Sequence, residues 1–206
     1  MEPYRTAMAV KKMNLKHVVI TSVDRDDLKD DYGASIWSET INQIHKHVKG
    51  CNVEVLTPDF KGYKPALEKV FSAKPEIFSH NVECVERISK KVRSQAKWSR
   101  SMDVLKMSSD FGLRTKTGLM VGLGESFEEV KETMKEVRKA GVEILTIGQY
   151  LQPTKDHLPV ARYVEESEFL QYKKFGYGLG FTMMKSGSLV RSSYRAEEGV
   201  KEFLNT

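Results

Sequence analysis

Short β-branched runs alternate with amphipathic helical stretches along most of this 206-residue chain, and that alternation leaves few architectures open. His17-Val18-Val19-Ile20-Thr21 reads as a buried strand, and a polar loop follows it through Asp31. Ile36, Trp37, Ile41, Ile44 and Val48 then recur at helical spacing from Ala34 to Val48, with Gly50 placed to end the helix. Val53 to Leu56 is the next strand, and a helix carrying Leu67, Val70 and Phe71 stops at Pro75. Glu76-Ile77-Phe78 is a third strand, and Val82, Val85, Ile88 and Val92 mark another helix. A further helical stretch runs from about Ser99 to Phe111, ahead of Gly112. Thr115 to Val121 and Val142 to Ile147 are strands. Between them Ser126 and Glu129 have the capping-box spacing at the head of a helix lined by Val130, Met134 and Val137.

Strand–helix alternation with short connections implies parallel strands with helical crossovers. Two solutions remain, an open doubly wound sheet and a (β/α) barrel. No G-x-G-x-x-G follows the first strand, which weighs against the dinucleotide-binding form. Residues 3–13, with Pro3 in the first turn and Ala7, Val10 and Met13 behind it, form a helix ahead of the first strand. That order implies an earlier strand upstream.

Composition excludes some function classes. No apolar run approaches the roughly 18 residues of a membrane span, and residues 1–20 lack the apolar core of a secretory signal. The net charge of +5 comes from lysines interleaved with acids, as in Lys131-Glu132 and Lys135-Glu136. This describes solvated helix faces better than a nucleic-acid surface, and a small acidic protein is the more natural partner. The two cysteines, Cys51 and Cys84, match no metal-ligand spacing and read as reduced thiols.

Ligands of parallel α/β folds sit beyond the carboxyl ends of the strands. The informative segments are therefore Ser22 to Asp27, Thr57 to Phe60, Ser79 to Glu83, Gly122 to Glu125 and Gly148 to Pro153. Each alone reads as turns and caps; five polar loops on one barrel face point to a binding site. Asp24-Arg25-Asp26-Asp27 is the densest charge cluster, without the longer Glu-closed loop of an EF-hand. Asn81 and Glu83 place an amide and a carboxylate two residues apart, suited either to the hydroxyls of a ribose or to capping a helix. His45 and His47 point in different directions on one helix and are discounted as ligands. Arg191-Ser192-Ser193-Tyr194 reads as a turn before a last helix in which Val200 and Phe203 pack inward.

Taken together, V-D-R-D-D-L (23–28), E-V-L-T-P-D-F (54–60), H-N-V-E (80–83), G-L-M-V-G-L-G-E (118–125), I-G-Q-Y-L-Q-P (147–153) and R-S-S-Y (191–194) resemble the lipoyl synthases. These are radical S-adenosylmethionine (SAM) enzymes. The resemblance covers essentially the whole chain. It implies an α/β fold, a partial (β/α)6 TIM-type barrel of the radical SAM kind with its first strand and cluster loop missing. It makes residues 1–206 one core domain, with 180–206 a C-terminal extension carrying R-S-S-Y.

The function the resemblance implies is insertion of two sulfur atoms at C6 and C8 of a protein-bound octanoyl group. Its cofactors are SAM and two [4Fe–4S] clusters, the second donating sulfur. Its partners are octanoylated lipoyl carrier domains of 2-oxoacid dehydrogenases (E2 subunits) and the glycine cleavage H protein. The electron donor is a ferredoxin or flavodoxin, with no nucleic acid and no membrane. The compartment is the cytoplasm, or the mitochondrion in a eukaryote.

By that resemblance Asn81 and Glu83 face SAM, and Gly122 and Glu125 belong to the glycine-containing edge at its adenine. Arg100 and Lys116 are the basic candidates for its carboxylate. Ser193, or else Ser192, is the cluster ligand of R-S-S-Y, tuned by Arg191 and Tyr194, and no residue is assigned a catalytic role. The family's cluster cysteines lie upstream of the Glu2-Pro3 helix, so these residues alone are expected to retain no cluster and to be inactive. Lys29 to Gly33 also departs from the family's usual proline and paired glycines. The rival expectations are another sulfur-inserting radical SAM enzyme of the biotin synthase kind and a non-catalytic binding remnant.

Overall fold

The first helix, α1 (Glu2–Lys12), accepts Pro3 in its first turn, where the missing N–H has no intrahelical role, and buries Ala7 and Val10. It packs on α2 (Ala34–His47), which follows β1 (His17–Thr21) and leads into β2 (Asn52–Leu56). A 3-10 turn at Phe60–Gly62 precedes α3 (Lys64–Ser72), β3 (Ile77–Ser79), α4 (Glu86–Val92) and α5 (Trp98–Asp110). The remaining elements are β4 (Thr115–Val121), α6 (Phe127–Lys139), β5 (Ile144–Gln149), α7 (Glu166–Gly178) and β6 (Met183–Gly187). This computed structural model describes residues 1–193 and 196. Tyr194 and the expected last helix with Val200 and Phe203 lie outside the described residues.

The six strands form one parallel sheet in the order β1-β2-β3-β4-β5-β6. A doubly wound sheet reverses its strand order at a switch point; a strictly sequential order winds every crossover the same way and curls into a barrel. The register decides what lies inside. On β2, Val53 and Val55 face outward into the core beneath α2 and α3, with Trp37, Ile41, Leu67 and Phe71. On β4, Leu119 and Val121 face a second core beneath α6 and α7, with Met134, Val137, Leu145 and Tyr172. The alternate residues Glu54, Lys116 and Gly118 therefore point into the barrel, where Ile77, Ile144 and Met183 form an apolar plug.

Two elements are absent from the sequence reading, α7 and β6. Helix α7 interrupts its buried face with Gly176, and β6 (Met-Met-Lys-Ser-Gly) contains no β-branched residue, so neither shows its period clearly. β6 pairs with β5 from Ile144–Met183 to Gly148–Gly187, so the sheet runs on past residue 180. The helix expected from Val82 starts only at Glu86, because Glu83 takes a left-handed backbone (φ 68°).

Candidate functional site

All six strands open at one mouth, and the loops after β1, β2 and β3 enclose a cleft of about 470 Å3. Its wall is made by the residues just after β3. Glu83 donates its N–H to the Gly118 carbonyl (3.0 Å) and accepts from the Met120 N–H (2.7 Å). The left-handed turn that aims the Glu83 side chain is thus sewn to β4 on both sides. Burial pushes the Glu83 carboxyl pKa up, while a hydrogen bond from Asn81 and the nearby Arg93 charge oppose that shift. Asn81 presents an Oδ1 that is shielded from solvent and has no hydrogen-bond partner.

Asn81 and Glu83 also line a second cleft of about 320 Å3, between β4, β5 and the segment after β6. Gly118 is what makes room there: a Cβ on it would sit 2.7 Å from Asn81 Oδ1 and 3.1 Å from Thr146 Oγ1. Gly148 plays the same part on β5, where a Cβ would stand 2.2 Å from the Val190 carbonyl oxygen. Leu119, Met120, Leu151 and Pro153 give this cleft apolar walls. The pair Asn81 and Glu83 thus stands on a partition between a polar chamber and a more apolar one.

Below the first cleft, His80 is 2% exposed and is held at both ring nitrogens. Nδ1 lies 2.9 Å from the Thr57 carbonyl oxygen and Nε2 3.0 Å from Ser101 Oγ. A carbonyl only accepts, so the proton sits on Nδ1 and Ser101 donates to Nε2. Complete burial pulls the imidazole pKa down to about 4, which keeps it neutral.

The other expected site residues have separate placements. Arg100 lines the first cleft, but its guanidinium is paired with Asp59 (3.0 Å) and packs over Gly62. Lys116 lines neither cleft. It points into the barrel, where its ammonium lies 2.6 Å from Glu54 Oε1, both side chains being buried, and His17 stands 3.5 Å from the other Glu54 oxygen. Gly122 and Glu125 build the loop after β4: the Glu125 carboxylate accepts the N–H groups of Gly122 (2.6 Å) and Leu123 (2.9 Å). Ser192 lines the second cleft beside Arg191, whereas Ser193 is exposed outside the cleft lining.

Sequence reasoning missed Arg93, which lines the first cleft and donates to the Asn81 carbonyl oxygen (3.0 Å). It sits in the basic run Lys90, Lys91, Arg93 and Lys97, which reads as a solvated face; only its place just after α4, facing the β3 exit, distinguishes it. The sequence singles out Thr57 only as part of the segment Thr57 to Phe60; it lines the same cleft, 4% exposed, and its Oγ1 is buried without a partner.

A barrel of sequential parallel strands with an amide–carboxylate partition at its mouth defines a class. The Radical SAM superfamily profile matches residues 2–137. In fold the chain is similar to Streptococcus suis SuiB (TM-score 0.68, 8% identity, over 95% of this chain and 44% of that one). It is likewise similar to methylornithine synthase (TM-score 0.66, 11% identity, over 100% and 72%). Among relatives, it is 54% identical over 203 residues to the lipoyl synthase of Rubrobacter xylanophilus, covering 98% of this chain and 63% of that protein. It is 49% identical to the lipoyl synthase of Flavobacterium johnsoniae, covering 97% and 69%. The mitochondrial lipoyl synthase of Nematostella vectensis is 48% identical, over 97% and 68%. The chain belongs to the lipoyl synthase family. It spans 63% of the length of the Rubrobacter relative, so it corresponds to part of that protein.

Proposed function

We propose that this chain is the SAM-binding barrel of a lipoyl synthase, the enzyme that inserts two sulfur atoms at C6 and C8 of an octanoyl group amide-linked to a carrier-domain lysine. The observation that carries the reading is the Asn81–Glu83 partition. An acceptor without a partner and a carboxylate, both turned to one space, match the two hydroxyls of a ribose. Beside them Gly118 and Gly148 let Asn81 and the Val190 carbonyl pack close against β4 and β5, and the cleft these residues line has apolar walls suited to a flat base. Gly122 and Glu125 act one step back, holding the loop that closes this slot. The polar first cleft is left for the aminoacyl end of the cofactor, with Arg100 shaping it through Asp59.

When bound, SAM supplies the 5′-deoxyadenosyl group that abstracts hydrogen from the octanoyl chain. What the chain's own residues do is bind and orient: Asn81 and Glu83 fix the sugar, and the glycine edges admit the base. The buried Lys116–Glu54 pair is proposed as a structural charge within the barrel in place of a ligand contact. The described residues do not fit an iron–sulfur cluster. They contain no group of three or more His, Cys, Asp or Glu side chains positioned to hold a metal, and Cys51 and Cys84 belong to different cores. No step is therefore routed through a cluster, and Ser193 or Ser192 as a ligand rests on the family resemblance. The octanoylated carrier domain is proposed as the protein partner on the same ground. Among the described residues no helix is long and apolar enough to cross a membrane.

Equilibrium dialysis with SAM and 5′-methylthioadenosine tests the reading. Both should bind, and Asn81→Ala should weaken both by about tenfold, the worth of a hydrogen bond of roughly 1.5 kcal/mol. Absence of binding by the unmodified chain, or indifference to Asn81→Ala, would refute the assignment.

A further inference from the structure

The strands begin on the face opposite the mouth, and the turns that lead into β1, β2 and β3 lie side by side there. Lys16 precedes β1, Lys49 precedes β2 and Lys74 precedes β3. The Lys16 carbonyl accepts the N–H of Asn52, the first residue of β2 (2.9 Å), so the first two turns are joined. Neighbouring strands stand about 4.8 Å apart, which places the three turns within roughly 10 Å of one another. Lys11 and Lys12 at the end of α1, and Lys46 at the end of α2, reach the same face. All six lysines are exposed, and among the described residues none of them enters an ion pair. The acid of these turns is Glu76, and its carboxylate is engaged by the His45 ring (3.2 Å) and the Val53 N–H (2.7 Å).

The helix dipole accounts for Lys11, Lys12 and Lys46 without any partner, because cations are favoured in a last turn. It does not account for Lys16, Lys49 and Lys74, which stand outside the helices. Lys74 takes a left-handed backbone (φ 54°), the conformation that Asn14 and Gly50 supply in the neighbouring turns (φ 51° and 74°). A turn that asparagine or glycine would close with less strain thus carries a charge. Met13, 67% exposed, adds one apolar contact among the lysines.

We propose that this basal face is a docking surface for an acidic protein segment, whose carboxylates meet the three turn lysines while the mouth stays open. The chemistry favours protein carboxylates over other anionic surfaces. Lysines are point charges, without the planar fork that makes arginine the better reader of phosphates. The three turns carry no aromatic side chain on which a base could stack. One exposed methionine is also too little apolar surface to hold the chain in a bilayer interface. The proposal is independent of the adenosyl reading, since none of these lysines lines either cleft.

The test is fluorescence anisotropy of a labelled decaglutamate peptide titrated with the full chain at low salt. The unmodified protein should bind it, and salt of about 0.5 M should release it by screening the exposed charges. Lys16→Gln, Lys49→Gln and Lys74→Asn combined should weaken binding about tenfold, the sum expected of three exposed ion pairs. Asparagine suits the left-handed position, so the fold should be kept. A matched variant carrying Lys90→Gln, Lys91→Gln and Lys97→Gln loses the same charge elsewhere and should stay within about twofold of the unmodified affinity. Carbodiimide cross-links from the peptide to the unmodified chain should map to the six basal lysines, a readout that needs no variant to fold. Failure to bind decaglutamate, equal weakening by the matched variant, or cross-links scattered over other lysines would overturn the proposal. So would tighter binding of a DNA duplex, or of phosphatidylcholine–phosphatidylserine vesicles, through the same turn lysines.

Discussion

His80 shows how one buried side chain ties the site to the stability of the fold. Its imidazole is neutral because burial disfavours the cation, and both nitrogens are already bonded, to Thr57 and Ser101. The folded pKa, about 4, lies below the ordinary value of 6.5 that the unfolded chain recovers. As pH falls through 6.5 the unfolded chain takes up the proton first, so the contribution of His80 is complete above about pH 6.5 and drains away towards pH 4. Its size at full titration is about 3 kcal/mol. Urea unfolding over this range should show the unmodified chain losing roughly that much more stability than His80→Gln; parallel losses in the two proteins would show that His80 is not the group responsible. Lys116 makes a different case at the same scale. Its partner Glu54 is buried, so Lys116→Met strands a carboxylate in the barrel and should cost about 3–5 kcal/mol. Adding Glu54→Leu should restore most of that loss, and urea midpoints of the single and double variants decide the matter.

At the scale of elements, the loop between β4 and α6 is held by its own acids. Glu125 accepts two backbone N–H groups, and Ser126 and Glu129 close a full capping box at the head of α6. Glu125→Ala leaves the Gly122 and Leu123 donors unmatched in a largely buried loop and should cost about 3 kcal/mol, against about 1 kcal/mol for Ser126→Ala. Thermal unfolding of the two variants should rank them in that order. The capping box was legible in the sequence because its signal is local, two residues at fixed spacing. The strands from β1 to β5 were legible because their β-branched runs lie between polar loops, and the barrel's site lies where strand ends must place it. α7 and β6 were not legible, since glycines interrupt the helix and the strand's character comes from pairing with β5. Neither was the division of labour among cations. Sequence shows Arg93, Arg100 and Lys116 as equal charges; Asp59 and Glu54, distant in the chain, pair with two of them.

At the scale of the whole molecule, the barrel separates two requirements of a radical SAM enzyme, a place for the nucleoside and thiolates for a cluster. The first depends on strand ends brought together by the sequential sheet, which gathers Asn81, Glu83, Gly118 and Gly148 around one cleft, the nucleoside site we propose. The second depends on several cysteines sharing one loop or one face. Cys51 is packed in the core beneath α2 and α3, and Cys84 in the core beneath α6 and α7. Burial, with Glu83 and Glu125 nearby and Arg93 opposing, pushes the Cys84 thiol pKa up to about 12, so it is a poor source of thiolate at neutral pH. An exposed serine at position 193 supplies a single oxygen ligand at best. Cluster retention and nucleoside binding should therefore come apart in this polypeptide. Anaerobic incubation of the 206 residues with iron and sulfide should give no stable [4Fe–4S] absorbance and, with SAM and a reductant, no 5′-deoxyadenosine. The same preparation should still bind 5′-methylthioadenosine. Formation of 5′-deoxyadenosine would mean that ligands outside the cysteine set hold a working cluster. Loss of nucleoside binding, with the fold intact by circular dichroism, would mean that the Asn81–Glu83 partition is not a self-sufficient site.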